Sequence, residues 1–183
     1  MFLLIIVYFK YHRMSSTFKY FAYGSNLLEK RIRINNPTAK RIGIALLKNY
    51  RLDFNYWSNR WGGNAATIVP DDSSFVWGAV WEIDNSNSTD LDRQEGTFNG
   101  VYKAIEVHVE NREGMLFKCR SYQLCNLPQY SPSLPVTRYP SKVYLNTILE
   151  GAIESKLPEE WVQFLKSIPH NGFEGPVNYQ SDD

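Results

Sequence analysis

Sulfur and imidazole are scarce in this chain of 183 residues, which carries two cysteines and three histidines. Cys119 and Cys125 offer neither a disulfide framework nor a CxxC metal pair, and His12, His108 and His170 are scattered. A structural zinc site therefore has no support, and a reducing compartment, the cytoplasm, is the expected setting. Charge of one sign is missing too. With 20 basic and 19 acidic residues the net charge is +1, and no block of like charges occurs. That balance gives no general attraction to nucleic acid or to an anionic membrane, so a small-molecule partner is expected. GxSxG, GxxxxGK[ST] and HExxH are all absent, which removes the signatures of nucleophilic-serine, P-loop and zincin chemistry.

Long apolar runs are also lacking. Residues 2–9 are apolar, but these eight residues fall far short of the roughly twenty that cross a bilayer. Lys10, His12 and Arg13 follow the run instead of preceding it, which does not fit a secretory signal. Met14 offers a second start. Residues 1–15 are read as an N-terminal apolar extension and 16–183 as a single domain, with a hydrophobic anchor at residues 2–9 as the rival reading. At 43% apolar and 15% aromatic, the chain is long enough for one sizeable core.

What is present is organised around residues 20–26: Tyr20, Phe21, Ala22, Tyr23, Gly24, Ser25 and Asn26. An aromatic run stops at a glycine, and Leu27, Leu28 and Ile32 then recur at helical spacing, which predicts strand, tight turn and helix start. Glycine lets a ligand approach the backbone, and the unpaired N–H groups of a helix start attract a carboxylate or an oxyanion. The stretch is therefore either an anion cradle or a capped turn without a ligand.

Asn36-Pro37 ends that helix, and β patterns follow. Residues 41–47, 50–55, 65–69 and 75–83 read as four strands. An aromatic loop at 56–64 is placed to wall a pocket or to cover a sheet end. Gly78, inside the apolar strand, signals a bulge or a close backbone approach. A short helix beginning near Ser88 runs through Gln94 and Glu95 to Gly96, a residue suited to a helix C′ position. An ionised carboxylate at a helix C-terminus meets the unfavourable end of the dipole. If Glu95 also faces a cavity, its proton affinity rises into the range of a working acid or base; otherwise it is a surface glutamate. Residues 102–110 and 115–124 form a predicted hairpin in which Glu106, His108 and Glu110 share a solvated face. Residues 126–140 make a proline-bearing loop assigned to the pocket rim, and 142–153 and 158–168 read as helices. The pattern is α+β, with a mostly antiparallel, curved sheet.

YFAYGSN, the VWGAVWEI strand and LDRQEG followed by Tyr102, in that order, resemble the γ-glutamylcyclotransferase family. The similarity covers about residues 18–176 and is firmest over 18–122. It implies a small mixed β-barrel flanked by helices, often dimeric, that closes a γ-glutamyl chain into 5-oxoproline without a metal or other cofactor. On that resemblance Glu95 is the catalytic carboxylate. The backbone of Tyr20, Phe21, Ala22, Tyr23, Gly24 and Ser25 would hold the γ-glutamyl group, and Asn26 would brace the turn. Tyr102 falls near the site, and a later substrate-contacting tyrosine matches Tyr144, with Tyr130 and Tyr139 as alternatives. Glutathione-specific relatives carry a YGSL-like loop, so Asn26 points to γ-glutamyl amino acids, with γ-glutamyl amines and glutathione as variants. A catalytically silent binding protein of the same fold is the contrasting expectation.

Overall fold

The computed structural model describes residues 16–177. The apolar extension of residues 1–15 and its anchor alternative lie outside the described residues. Five strands close a barrel: β1 (Thr17–Ala22), β2 (Lys40–Ser58), β3 (Gly63–Asp84), β4 (Tyr102–Glu110) and β5 (Leu116–Leu124), in the order β1-β3-β2-β4-β5. All pairings are antiparallel except β1 with β5, where Tyr20 stands opposite Arg120 in parallel register. Closure removes the exposed edges that an open sheet of this size would present.

The four strands expected over residues 41–83 are two. β2 and β3 run without a break through both expected gaps and form one long hairpin. At the first gap Asn49 takes a left-handed φ of 63°, and the register shifts between Lys48 and Tyr50. Asparagine tolerates that conformation, so the chain makes a bulge that bends the ribbon and does not end it. At the second gap Pro70 still pairs opposite Tyr50 and lies exposed, where the missing N–H costs little. The close approach expected at Gly78 is real: a Cβ there would stand 2.4 Å from the Ala22 carbonyl oxygen and 2.6 Å from the Phe21 ring. That glycine lets β1 lie directly on β3. Trp81, Phe21, Phe54, Ile68 and Ile83 fill the interior with almost no exposure.

The helix expected after the YGSN turn is shorter than its apolar spacing suggests. Ser25–Leu27 form one tight turn, Leu28 is extended (φ −84°, ψ 122°), and only Glu29–Ile32 form α1. The turn is then gripped from outside by α3 (Lys142–Glu154), which packs with α4 (Glu159–Ser167). Ser155 Oγ and the Arg41 guanidinium both donate to the Leu27 carbonyl, each at 3.2 Å. The loop at 126–140 is not at the pocket rim. It lies against the β2–β3 ribbon, where Asn64 Nδ2 donates to the Thr137 carbonyl and Arg138 meets the buried Asp53 at 3.1 Å. Satisfying a buried carboxylate and an asparagine side chain outweighs any preference of that loop for the cavity.

Gly151 seats α3 on the turn, since a Cβ there would lie 2.4 Å from Leu28 N and 2.6 Å from the Leu27 carbonyl carbon. Alanine gains about 1 kcal/mol of helix propensity over glycine, whereas overpacking costs about 1–3 kcal/mol. Gly151→Ala is therefore expected to lower the unfolding free energy in urea, and a more stable variant would show that the contact is loose.

Candidate active site

A cavity of about 980 Å³ opens beside the barrel between the YGSN turn, the β2–β3 turn and α2 (Ser88–Gln94). Glu95 follows α2 as its C-cap, and Gly96 takes the left-handed conformation at φ 63° that stops the helix. Two contacts dock α2 on β5: Tyr122 donates its hydroxyl to Asp92 Oδ1 at 2.6 Å, and Arg120 pairs with the same carboxylate. Glu95 is thereby held at the cavity wall. Asn26 Nδ2 donates to Glu95 Oε1 at 2.8 Å and the Tyr20 hydroxyl donates to the same oxygen at 3.4 Å. No described residue donates a hydrogen bond to Oε2. The carboxylate is thus anchored through one oxygen.

Burial pushes the Glu95 carboxyl up from 4.5 to about 7. Arg31, the Tyr20 hydroxyl, Arg60 and Asn26 act against that rise and keep the charged form within reach near neutrality. The hydroxyls of Tyr20, Tyr23 and Tyr102 are held well above their ordinary value, chiefly by burial with Glu95 adding to the rise, so all three stay protonated. They serve as neutral donors and acceptors.

Of the residues singled out in the sequence, Ser25, Glu95, Tyr102 and Tyr144 line the cavity. Phe21 and Ala22 are wholly buried in β1 and do not line it. Tyr20 and Asn26 stand behind Glu95, and Tyr23 donates to the Tyr122 carbonyl at 2.5 Å. Gly24 sits under Tyr144, where an added Cβ would be 3.2 Å from the phenolic oxygen. Leu27 and Leu28 donate back to the Gly24 and Ser25 carbonyls, so the first N–H groups of the turn lack an intrahelical acceptor. Tyr102 and Tyr144 both bond the backbone of one residue: Tyr102 donates to the Ala66 carbonyl at 2.6 Å, and Tyr144 accepts from the Ala66 N–H at 3.1 Å. Of the alternatives to Tyr144, Tyr130 is 70% exposed beside Arg51, and neither it nor Tyr139 lines the cavity.

The aromatic loop does wall the pocket through Tyr56 and Trp61, while Trp57 faces solvent. Arg31 and Arg60, which the sequence reading passed over, bring two guanidinium groups to the lining. Arg31 had a signal: it shares the helical spacing of Leu27, Leu28 and Ile32, a stripe that is buried, and it is itself 5% exposed. A cation on an apolar face marks a site.

Barrel and site together define a small α+β protein that holds one carboxylate of raised proton affinity beside a turn whose first N–H groups lack an intrahelical acceptor. The AIG2-like family matches over residues 75–165. The γ-glutamylcyclotransferase of Mus musculus is 42% identical over 171 residues, covering 91% of this chain and 87% of that protein. The Homo sapiens protein of that name is 41% identical over the same shares. A solved γ-glutamyl cyclotransferase structure, 40% identical, superposes with a TM-score of 0.81 over 89% of this chain and 94% of that one. The chain belongs to the γ-glutamylcyclotransferase family.

Because burial raises the folded-state value of Glu95 above its unfolded one, the folded protein binds the proton more tightly. The stability this contributes is fully present below about pH 4.5 and is lost as pH rises through about 7. Relative to Glu95→Gln, the unfolding free energy of the wild type is expected to fall across that window by up to about 3 kcal/mol. Parallel pH profiles for the two proteins would show that Glu95 is not desolvated.

Proposed function

We propose that this enzyme cyclises γ-glutamyl amino acids or dipeptides, releasing 5-oxo-L-proline and the free amino acid, with Glu95 as proton acceptor and donor. The observation that carries the assignment is a cavity carboxylate raised to about 7, anchored through one oxygen with the other left to a ligand. The substrate brings its own nucleophile, the α-amino group, which closes a five-membered ring on the γ-carbonyl. That group arrives as an ammonium ion, and Glu95 takes its first proton so that the nitrogen can attack.

Negative charge then gathers on the former amide oxygen, where the open N–H groups of the Ser25 turn are suited to receive it or the α-carboxylate. The leaving nitrogen takes the proton from Glu95, and the carbon–nitrogen bond breaks. A second proton passes from the ring nitrogen to the departing amine, so the products are a neutral lactam N–H and an ammonium ion, with none gained or lost overall. Ring closure needs a folded glutamyl chain, and binding in a walled cavity supplies that proximity. Arg31 and Arg60 complement a substrate that carries two carboxylates.

The same reading has the enzyme acting in the cytoplasm as a homodimer on a small γ-glutamyl compound. The unbridged Cys119 and Cys125 are compatible with that setting.

Release of 5-oxoproline from γ-glutamyl-alanine, glutathione and γ-glutamyl-ε-lysine tests the assignment. Glu95→Gln is expected to lower turnover by about 10²–10⁴-fold, with the dipeptide the preferred wild-type substrate. Undiminished turnover in the variant removes Glu95 as the base, and no release from any of the three favours a silent binding protein. For the wild type, kcat/KM is expected to rise with pH through about 7, as the carboxylate forms. A flat profile from pH 5 to 8 contradicts the role.

A further inference from the structure

Three side-chain amides stand in single file behind Glu95. Asn36 Nδ2 donates to the Ile32 carbonyl at 3.3 Å and to Gln94 Oε1 at 3.2 Å. Gln94 Nε2 donates to Asn26 Oδ1 at 2.8 Å, and Asn26 Nδ2 donates to Glu95 Oε1 at 2.8 Å. The first link fixes the direction of the others. A backbone carbonyl only accepts, so Asn36 must turn its NH2 group toward Ile32, and that NH2 also reaches Gln94 Oε1. Gln94 is then obliged to present its own NH2 to Asn26, and Asn26 to present its NH2 to Glu95.

The far end of this file is not explained by packing. Asn36 is wholly buried, and among the described residues its Oδ1 has no hydrogen-bond partner. A buried acceptor left unmet costs stability, and an apolar side chain of the same size would avoid it. Asn36 does not line the cavity, so it acts only through its neighbours. We infer that Asn36 and Gln94 are positioning residues that lock the Asn26 amide with its NH2 toward Glu95 Oε1, leaving Oε2 for the substrate amine. Reversed, the amide would set its own oxygen against the carboxylate and drive Glu95 to rotate away or to hold its proton.

The inference rests on the role given to Glu95 above. Glu95 also faces Arg31 of α1, Arg60 of the β2–β3 turn and the hydroxyls of Tyr20, Tyr23, Tyr102 and Tyr122, none of which the test alters. The experiment compares kcat, KM and the pH profile of kcat/KM for γ-glutamyl-alanine in the wild type, Gln94→Met and Asn36→Leu, beside Tm. Both variants are expected to lose about tenfold in kcat with KM little changed, and to move the acid limb up by about one pH unit. A merely structural role would lower Tm and leave the limb in place, and that result overturns the inference. If Asn36→Leu does not fold, Gln94→Met, half-buried at the cavity wall, carries the comparison alone. An active Glu95→Gln removes the base assignment itself, whereas an unmoved limb in Gln94→Met beside an inactive Glu95→Gln removes only the relay.

Discussion

The hydrogen bond from Asn26 Nδ2 to Glu95 Oε1 joins two parts of the chain 69 residues apart, and the proton transfer proposed for Glu95 depends on how that carboxylate is held. Burial alone would keep Glu95 protonated, and a fully solvated glutamate would be a weak base. Against that burial stand the Arg31 guanidinium first, then the Tyr20 hydroxyl, Arg60 and the Asn26 amide, which together favour the carboxylate without making it inert.

The barrel exists, in functional terms, to keep those groups in place. β1 delivers Tyr20 and the YGSN turn, β5 docks α2 through Asp92, and α3 presses on the back of the turn at Gly151. The backbones meet so closely at Gly78 and Gly151 that neither junction has room for a side chain. A partly desolvated carboxylate is a local liability to folding at neutral pH, and the large apolar interior around Trp81 and Phe21 offsets it.

Much of this was legible in the sequence because it was written locally. The glycine after an aromatic strand, the Gly96 stop after Gln94-Glu95 and the 102–124 hairpin each follow from residues adjacent in the chain. The continuity of β2 and β3 was not legible. Asn49 and Pro70-Asp71-Asp72 carry genuine turn chemistry, and only the long pairing of the two ribbons converts those breaks into bends. Asn36 read simply as part of a helix terminator, and its partners Ile32 and Gln94 lie in different elements. The cavity rim likewise depends on tertiary choice: Arg138 prefers buried Asp53, which takes the 126–140 loop away from the pocket. Arg31 was visible as a cation on an apolar helical stripe, although the helix itself proved to be one turn.

The measurement that bears most directly on this account is a titration of the Glu95 carboxyl itself. Carboxyl resonances of protein labelled with ¹³C at glutamate side chains, assigned by their absence in Glu95→Gln, report the ionisation without reference to turnover. The account predicts that the Glu95 resonance titrates near pH 7. A Glu95 resonance that titrates at the ordinary glutamate value would contradict it, because a carboxylate of ordinary acidity has no advantage in taking a proton from an ammonium group and returning it to a leaving amine.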